Sequence, residues 1–174
     1  MIKFFIEGNV FRTIIIELFM NMQFMREAIG LANESVKANK GGPFGAVVVK
    51  DGVVIGRGSN EVTALNDPTS HAEIMAIRDA CNTLGSFQLD GCEIYSSCEP
   101  CPMCLGAIYW ARPDKLYYAC SHSDAAQFGF DDSYIYDELS LPANARTIQT
   151  EQHMREEGLS SFKLWEVAEK KVPY

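Results

Sequence analysis

The residues of this sequence best suited to chemistry are a histidine, a glutamate and two cysteines in two short motifs. His71 and Glu73 belong to a His-Ala-Glu motif, and Cys101 and Cys104 belong to a Pro-Cys-Pro-Met-Cys motif. Cysteines three residues apart lie on one face of a helix, and a helix N-terminus stabilises thiolates. Two thiolates and an imidazole nitrogen suit tetrahedral zinc, and three protein ligands leave one position open, as in catalytic zinc sites.

Glu73 has a different predicted role from the three metal ligands. Residues two apart do not share a helix face, so we do not expect Glu73 to bind the metal together with His71. In the first turn of a helix it can reach a water on the zinc and carry its proton to a substrate. H-x-E followed by P-C-x-x-C, with the glutamate not a ligand, is the signature of zinc-dependent deaminases. A C-x-x-C pair alone is more typical of structural zinc or redox chemistry, but the joint pattern favours catalytic zinc.

The remaining four cysteines have no predicted chemical role. Cys98 extends the run to C-x2-C-x2-C, but an iron–sulfur cluster needs a fourth thiolate, and the matching position holds Ile108. We expect Cys98 to be a buried thiol at the end of a strand. Core positions are predicted for Cys81, Cys92 and Cys120.

Length, charge and cysteine use narrow the class of protein. A chain of 174 residues with 47% hydrophobic and 22% charged residues is typical of a soluble globular domain with one core. The net charge of −8 argues against nucleic acid as a partner. Clustered cysteines in a chain of this size favour metal binding in a reducing compartment, so we expect a cytoplasmic protein.

The first 21 residues are expected to form a peripheral extension. Their apolar run is interrupted by Glu7, Arg12 and Glu17, which argues against both a signal peptide and a membrane span. Three methionines are alternative start sites: Met20, Met22 and Met25.

The pattern of apolar residues predicts alternating helices and strands, and hence one layered α/β domain. Helices are expected over residues 22–39, 69–84, 102–110 and 160–171. A hairpin is expected over residues 46–58, with its turn at 50–52, and further strands over 92–97, 115–120 and part of 146–154.

Four segments make the chain resemble a known family. "GGPFGAVVVKDG", "NDPTSHAEIMAIRDAC", "YSSCEPCPMCLGAIYWARP" and "GFDDSYIY" together look like the guanine deaminases of the cytidine deaminase superfamily. The resemblance covers residues 22–174 and implies a single domain there. The fold it implies is a three-layer α/β/α arrangement around a mixed five-stranded sheet.

The resemblance also implies roles for individual residues. It implies one zinc ion per chain held by His71, Cys101 and Cys104, with Glu73 as the proton shuttle. The residues it implies for substrate binding are Phe44, Asn60, Ala72 through its N–H, Trp110, Asp132 and Tyr174. Asp132 is also expected to help expel ammonia, and Tyr174 to close the pocket. The C-terminal segment, about 155–174, is expected to cross to a partner subunit and form a swapped homodimer.

The expected reaction is the zinc-dependent hydrolysis of guanine to xanthine and ammonia. Guanine is flat and carries hydrogen-bond donors and acceptors, which suits an aromatic wall beside a carboxylate and an amide. Related substrates remain open: guanosine, cytosine, tRNA adenosine or an aminotriazine. A non-catalytic protein that zinc merely stabilises is the alternative from another class. Structural readings also remain for Asn60 as a turn residue, Phe44 and Trp110 as core, Asp132 as a helix cap and Tyr174 as a frayed end.

Overall fold

The computed structural model describes residues 22–174, and the expected N-terminal extension, residues 1–21, lies outside the described residues. The chain divides into two compact units, the first ending at Asp132 and the second running from Ser133 to Tyr174. Within residues 22–174, no helix combines the length and apolar character needed to cross a membrane.

The first unit is built on a mixed sheet with the strand order β2-β1-β3-β4. Its strands are β1 (Gly45–Lys50), β2 (Val53–Ser59), β3 (Cys92–Cys98) and β4 (Lys115–Cys120). Strand β1 is antiparallel to both β2 and β3, whereas β3 and β4 run parallel. The mixed α/β sheet is confirmed, but the expected fifth strand is wrong, because the sheet of the described residues has four strands.

The predicted hairpin is confirmed, and its turn has a specific backbone cause. Asp51 and Gly52 both have positive φ values, 50° and 75°. Positive φ at both central residues of a two-residue turn gives a twist that matches the flanking strands. Strands β1 and β2 therefore pair directly across this turn.

Alternate residues of strand β1 face two separate apolar clusters. Val47 and Val49 pack with Phe24 and Ala28 of helix α1, which occupies residues 22–37. The opposite face buries the side chains Ala46, Val48, Ala72, Ala76, Ala80, Leu89, Cys92, Ile94, Ile108 and Ala111. Helices thus cover both faces of the sheet, as the predicted three-layer arrangement requires.

The helices of the first unit after α1 are α2 (Val62–Leu65), α3 (Ala72–Leu84), α4 (Pro102–Ala111) and α5 (His122–Gln127). The predicted start of α3 at residue 69 is wrong. The Asp67 carboxylate accepts hydrogen bonds from the Thr69 N–H and from the hydroxyls of Thr69 and Ser70, each at 2.8 Å. This local turn competes with the helix, which therefore begins at Ala72.

The second unit has no buried residue among Ser133–Tyr174. It contains helix α6 (Ser133–Ser140), a 3-10 turn (Ala143–Ala145) and helix α7 (Arg155–Val167). The strand expected within residues 146–154 is wrong, since these residues take no regular structure. The closing helix is present, but the apolar side chains predicted for its buried side, Phe162, Leu164, Trp165 and Val167, are exposed.

Strand β2 and helix α3 meet backbone to backbone. A methyl group on Gly58 would overlap the carbonyl oxygen of Ala72 and lie 2.5 Å from the Ala76 nitrogen. Gly56 meets the next turn of α3 in the same way, close to Ala80. This close approach sets the position of the helix on the sheet.

We therefore expect Gly58→Ala to lower the free energy of unfolding by about 1–3 kcal/mol, because neither backbone can retreat from the added methyl group. Zinc retention should fall as well, because the N-terminus of α3 would shift. Denaturant unfolding and metal analysis measure the two effects. The matched control is Gly30→Ala in α1, where nothing lies within 4 Å of the new methyl group. That variant should be neutral or slightly stabilising, and equal stability of the two variants would contradict the prediction.

Candidate active site

Three of the predicted residues converge on one point. The Nδ1 atom of His71 lies 3.5 Å from the Sγ of Cys101 and 3.5 Å from the Sγ of Cys104. The ligand atoms of the three residues all lie within 4.8 Å of one another. We call this set of atoms the His-Cys-Cys triangle.

The residues of the His-Cys-Cys triangle lie at the N-termini of two helices. His71 is the N-cap residue of α3, and Cys101 is the N-cap residue of α4 with Pro102 in its first turn. Proline suits the first helical position because its missing N–H would have no partner there. Cys104 follows in the first turn of α4 and is fully buried. The free N–H groups and dipoles of both helices stabilise negative charge at the sulfurs.

The geometry of the triangle fits zinc. Tetrahedral zinc with bonds of about 2.3 Å to sulfur and about 2.0–2.1 Å to nitrogen places those two atoms roughly 3.5 Å apart. Both nitrogen–sulfur distances in the triangle, 3.5 Å each, have this value. The sulfur and nitrogen donors also match the chemical preference of zinc, and three ligands leave one position for water or substrate.

The pKa values of the two cysteines shift in opposite directions. A hydrogen bond from Cys104, with further help from His71, lowers the pKa of Cys101 to about 4. The same interaction with Cys101, together with burial, raises the pKa of Cys104. A divalent cation at the triangle would favour both thiolates, because its charge stabilises deprotonated sulfur.

Glu73 is buried beside the triangle, and it is 5% exposed. Ser96 of strand β3 donates a hydrogen bond of 3.0 Å from its hydroxyl to Oε1 of Glu73. Burial raises the pKa of the Glu73 carboxyl, and its hydrogen bonds lower it in part. A carboxyl group in this position can accept a proton from a water at the metal site and deliver it to a substrate. Sequence reasoning missed Ser96, whose only signal is a polar residue inside an otherwise buried strand.

Asn60 follows strand β2, and neighbouring groups fix its orientation. Its Oδ1 accepts hydrogen bonds from the N–H groups of Gly42, at 3.0 Å, and Val62, at 3.4 Å. Ser35 donates to the Asn60 carbonyl at 2.7 Å. With the side-chain oxygen engaged, the Nδ2 amide remains as the donor to a ligand. The substrate-binding role of Asn60 itself stays a prediction.

Phe44 forms an aromatic pair that the sequence did not predict. Its ring lies edge-on to Phe130, with the centroids 5.0 Å apart. Asp132 lies two residues further along the chain and is partly buried. Burial raises the pKa of the Asp132 carboxyl, and the Cys101 charge raises it further, while His122 lowers it. The "GFDD" segment therefore brings both an aromatic ring and a carboxylate towards the cysteine side of the site.

Two of the predicted substrate residues are exposed. Trp110 lies on α4 with 63% of its surface exposed, and Tyr174 belongs to the second unit and is 72% exposed. Ala72 is the first residue of α3, where N–H groups lack partners within the helix. The roles of Trp110 and Tyr174 therefore stay predictions.

The other cysteines differ from one another in burial. Cys98 ends strand β3, is buried as expected, and donates its thiol to the Ser121 carbonyl at 3.5 Å. Cys92 is buried and Cys81 half-buried, but the core position predicted for Cys120 is wrong because this residue is exposed. Cys120 lies on β4, at the edge of the described sheet, where one side of the strand has no neighbour.

Comparison with known proteins places the chain in a family. Residues 20–120 match the model of the cytidine and deoxycytidylate deaminase zinc-binding region. The chain is 59% identical over 142 residues to guanine deaminase of Bacillus subtilis, covering 82% of this chain and 91% of the relative. The crystal structure of Bacillus subtilis guanine deaminase superposes with a TM-score of 0.84 at 57% identity, covering 87% of this chain and 97% of that one.

A second group of relatives matches a shorter part of the chain. The tRNA-specific adenosine deaminase of Agrobacterium fabrum is 53% identical over 76 residues, which are 44% of this chain and 50% of the relative. The chain belongs to the cytidine and deoxycytidylate deaminase family, a class of zinc-binding enzymes that includes relatives with both kinds of substrate. Its similarity to the guanine deaminase spans nearly twice as many residues as its similarity to the tRNA deaminase.

We expect Cys101→Ser and Cys104→Ser each to abolish stable zinc binding, because a hydroxyl does not ionise to replace a thiolate ligand. Cys98→Ser should retain zinc, because Cys98 bonds to a carbonyl outside the triangle. Zinc per chain, measured by elemental analysis after dialysis, checks the prediction. Full zinc content in either of the first two variants would contradict the ligand assignment.

Proposed function

We propose that this protein is a zinc-dependent deaminase that hydrolyses guanine to xanthine and ammonia. The observation that carries the proposal is the buried carboxylate of Glu73, fixed by Ser96, beside the His-Cys-Cys triangle. A metal site with an open position and an adjacent proton carrier is equipped for hydrolysis. The length of the match to the Bacillus guanine deaminase supports guanine as the substrate.

His71, Cys101 and Cys104 would hold one zinc ion per chain, which would supply the Lewis acidity needed for water to attack carbon 2 of guanine at neutral pH. Glu73 accepts the proton of the attacking water and delivers it to the adjacent ring nitrogen N3. The same carboxyl then takes the second proton of that water, from the new hydroxyl on carbon 2, and passes it to the amine. The bond between carbon 2 and the amine breaks, ammonia leaves, and the oxygen remains as the carbonyl of xanthine. Ser96 keeps one oxygen of Glu73 in place through both transfers.

The proposed contacts of the base follow from the donors and acceptors at the site. The Asn60 amide and the Ala72 N–H are donors, and guanine offers the acceptors O6 and N7. Asp132 is an acceptor for the N1–H and the 2-amino group, and it helps the amine to leave. Phe44 and Trp110 form the aromatic wall. A site that pairs a substrate's polar groups in this way strongly rejects analogues that lack them.

We further propose a homodimer in which residues 155–174 cross to the partner subunit, where Tyr174 closes the pocket over the base. The exposed apolar side chains of α7 support this proposal, because isolated apolar patches of that kind mark interaction surfaces. Tyr109 and Trp110, 76% and 63% exposed on α4, offer a similar surface in the first unit.

We propose that the protein binds a small purine base and binds neither nucleic acid nor a membrane. The net charge of −8 supports this, because tRNA binding needs cationic groups to neutralise phosphates. None of the six cysteines, all within the described residues, forms a disulfide, which supports a cytoplasmic location and residues 22–174 acting there as one reduced deaminase domain.

The Glu73→Gln variant distinguishes between two hypotheses: that the protein is an enzyme, or that it is a binding protein that zinc merely stabilises. We expect this variant to retain zinc and to lose turnover of guanine by about 10²–10⁴-fold, because an amide cannot shuttle protons. Ammonia release from guanine, guanosine, cytosine, adenine and aminotriazines measures both activity and substrate choice. Unchanged turnover in the variant would contradict catalysis by Glu73, and an inert guanine beside another active compound would contradict the proposed substrate.

Asn60→Asp tests the assigned donor. The variant keeps an oxygen for the N–H groups of Gly42 and Val62, but it replaces the Nδ2 donor with an acceptor. We expect KM for guanine to rise by about 10–100-fold while zinc content stays unchanged, because two acceptors then face each other. Steady-state kinetics with metal analysis provides the measurement, and a normal KM would show that Asn60 does not donate to the base.

A further inference from the structure

Hydrogen bonds of Glu99 join the loop before the zinc cysteines to the start of helix α5. Oε2 of Glu99 lies 2.8 Å from Nδ1 of His122 and accepts the His122 N–H at 3.2 Å. The Glu99 N–H donates to the Cys120 carbonyl at 2.8 Å. Since a carboxylate only accepts, Nδ1 of His122 carries the hydrogen of the shorter contact.

Helix α5 depends on such polar contacts because none of its residues is buried. Its own capping box, between Ser121 and Asp124, stabilises the first turn without joining it to another element. Glu99 connects this turn to the loop that leads directly into the metal ligand Cys101. The carboxylate is therefore placed to set the distance between α5 and the His-Cys-Cys triangle.

The end of α5 leads into the segment that contains Phe130 and Asp132, two residues on the proposed substrate side of the site. The N–H groups of Gly129 and Phe130 donate to the carbonyls of Ala126 and Ala125, at 3.0 and 3.1 Å. Gly129 has a φ of +90°, which turns the chain towards Phe130 and Asp132. A displacement of α5 is thus transmitted to the ring that packs on Phe44 and to the Asp132 carboxylate.

We propose that Glu99 and His122 are a positioning pair, which holds the Phe130–Asp132 segment at its working distance from the zinc cysteines. The proposal rests on the proposed guanine deamination and adds two residues to its machinery. Neither residue touches the substrate; both act through Asp132. The two side chains are 26% and 50% exposed, and exposed ion pairs contribute little to stability, so the pair's main effect is on geometry.

The test compares the zinc-loaded Glu99→Ala and Glu99→Gln proteins with the natural chain. Glu99→Ala should lower kcat/KM for guanine on the order of 10–100-fold, the effect of a displacement of about 1 Å, with zinc content unchanged. Glu99→Gln keeps an oxygen that accepts from His122 and should lie within about threefold of the natural value. Lys115→Ala is the matched control, since it breaks the Lys115–Glu93 pair at the other end of the same two strands; it should leave kcat and KM unchanged.

Two further measurements distinguish positioning from a general structural defect. In an Asp132→Asn background, Glu99→Ala should cost less than about threefold, because the group it positions is already lost. Hydrogen exchange of residues 122–132 should be faster in Glu99→Ala and unchanged in Lys115→Ala. Additive losses, unchanged exchange, or Glu99→Gln as impaired as Glu99→Ala would each overturn the proposal. If the natural chain left guanine intact, the proposed function would fail, and the exchange measurement would still decide whether Glu99 holds this segment.

Discussion

The contact between strand β2 and helix α3 is the constraint on which the site depends. Glycine on the strand and alanine on the helix let two backbones meet without side chains between them. Any larger residue would lift the N-terminus of α3 away from the sheet, and with it His71 and Glu73. Asn60 directly follows the same strand, so one contact fixes His71, Glu73 and Asn60 relative to each other.

The sheet register explains why the remaining groups arrive at the same place. Gly45, at the start of β1, pairs with Ser59, at the end of β2, while the neighbouring Ala46 pairs with Ser96 near the end of β3. Strand β4 is parallel to β3 and ends beside it, with Cys98 opposite Cys120. The loops that follow β2, β3 and β4 therefore lie at the same end of the sheet. Phe44, the cysteines and the start of α5 lie there as well.

The site concentrates acidic groups at this end of the sheet. Burial raises the pKa of both Glu73 and Asp132, and the Cys101 charge raises each of them further. A cation bound at the triangle would reduce this repulsion. Among the described residues, every buried side-chain nitrogen or oxygen has a hydrogen-bond partner. Exposed apolar residues occur in both units, among them Trp110 in the first and Phe162 in the second.

The sequence by itself determined the chemistry of the site, because side-chain types and local spacing decide which groups can bind metal or carry protons. It predicted the His-Cys-Cys triangle from two motifs about 30 residues apart, and it predicted the hairpin from its turn residues. Only the tertiary structure decided which atoms Asn60 presents, which hydroxyl holds Glu73, and that Phe130 packs on Phe44. Each of these depends on contacts between residues distant in sequence, and such contacts leave no local pattern. The fifth strand and the core position of Cys120 were wrong for the same reason, since pairing and burial depend on what lies alongside a segment.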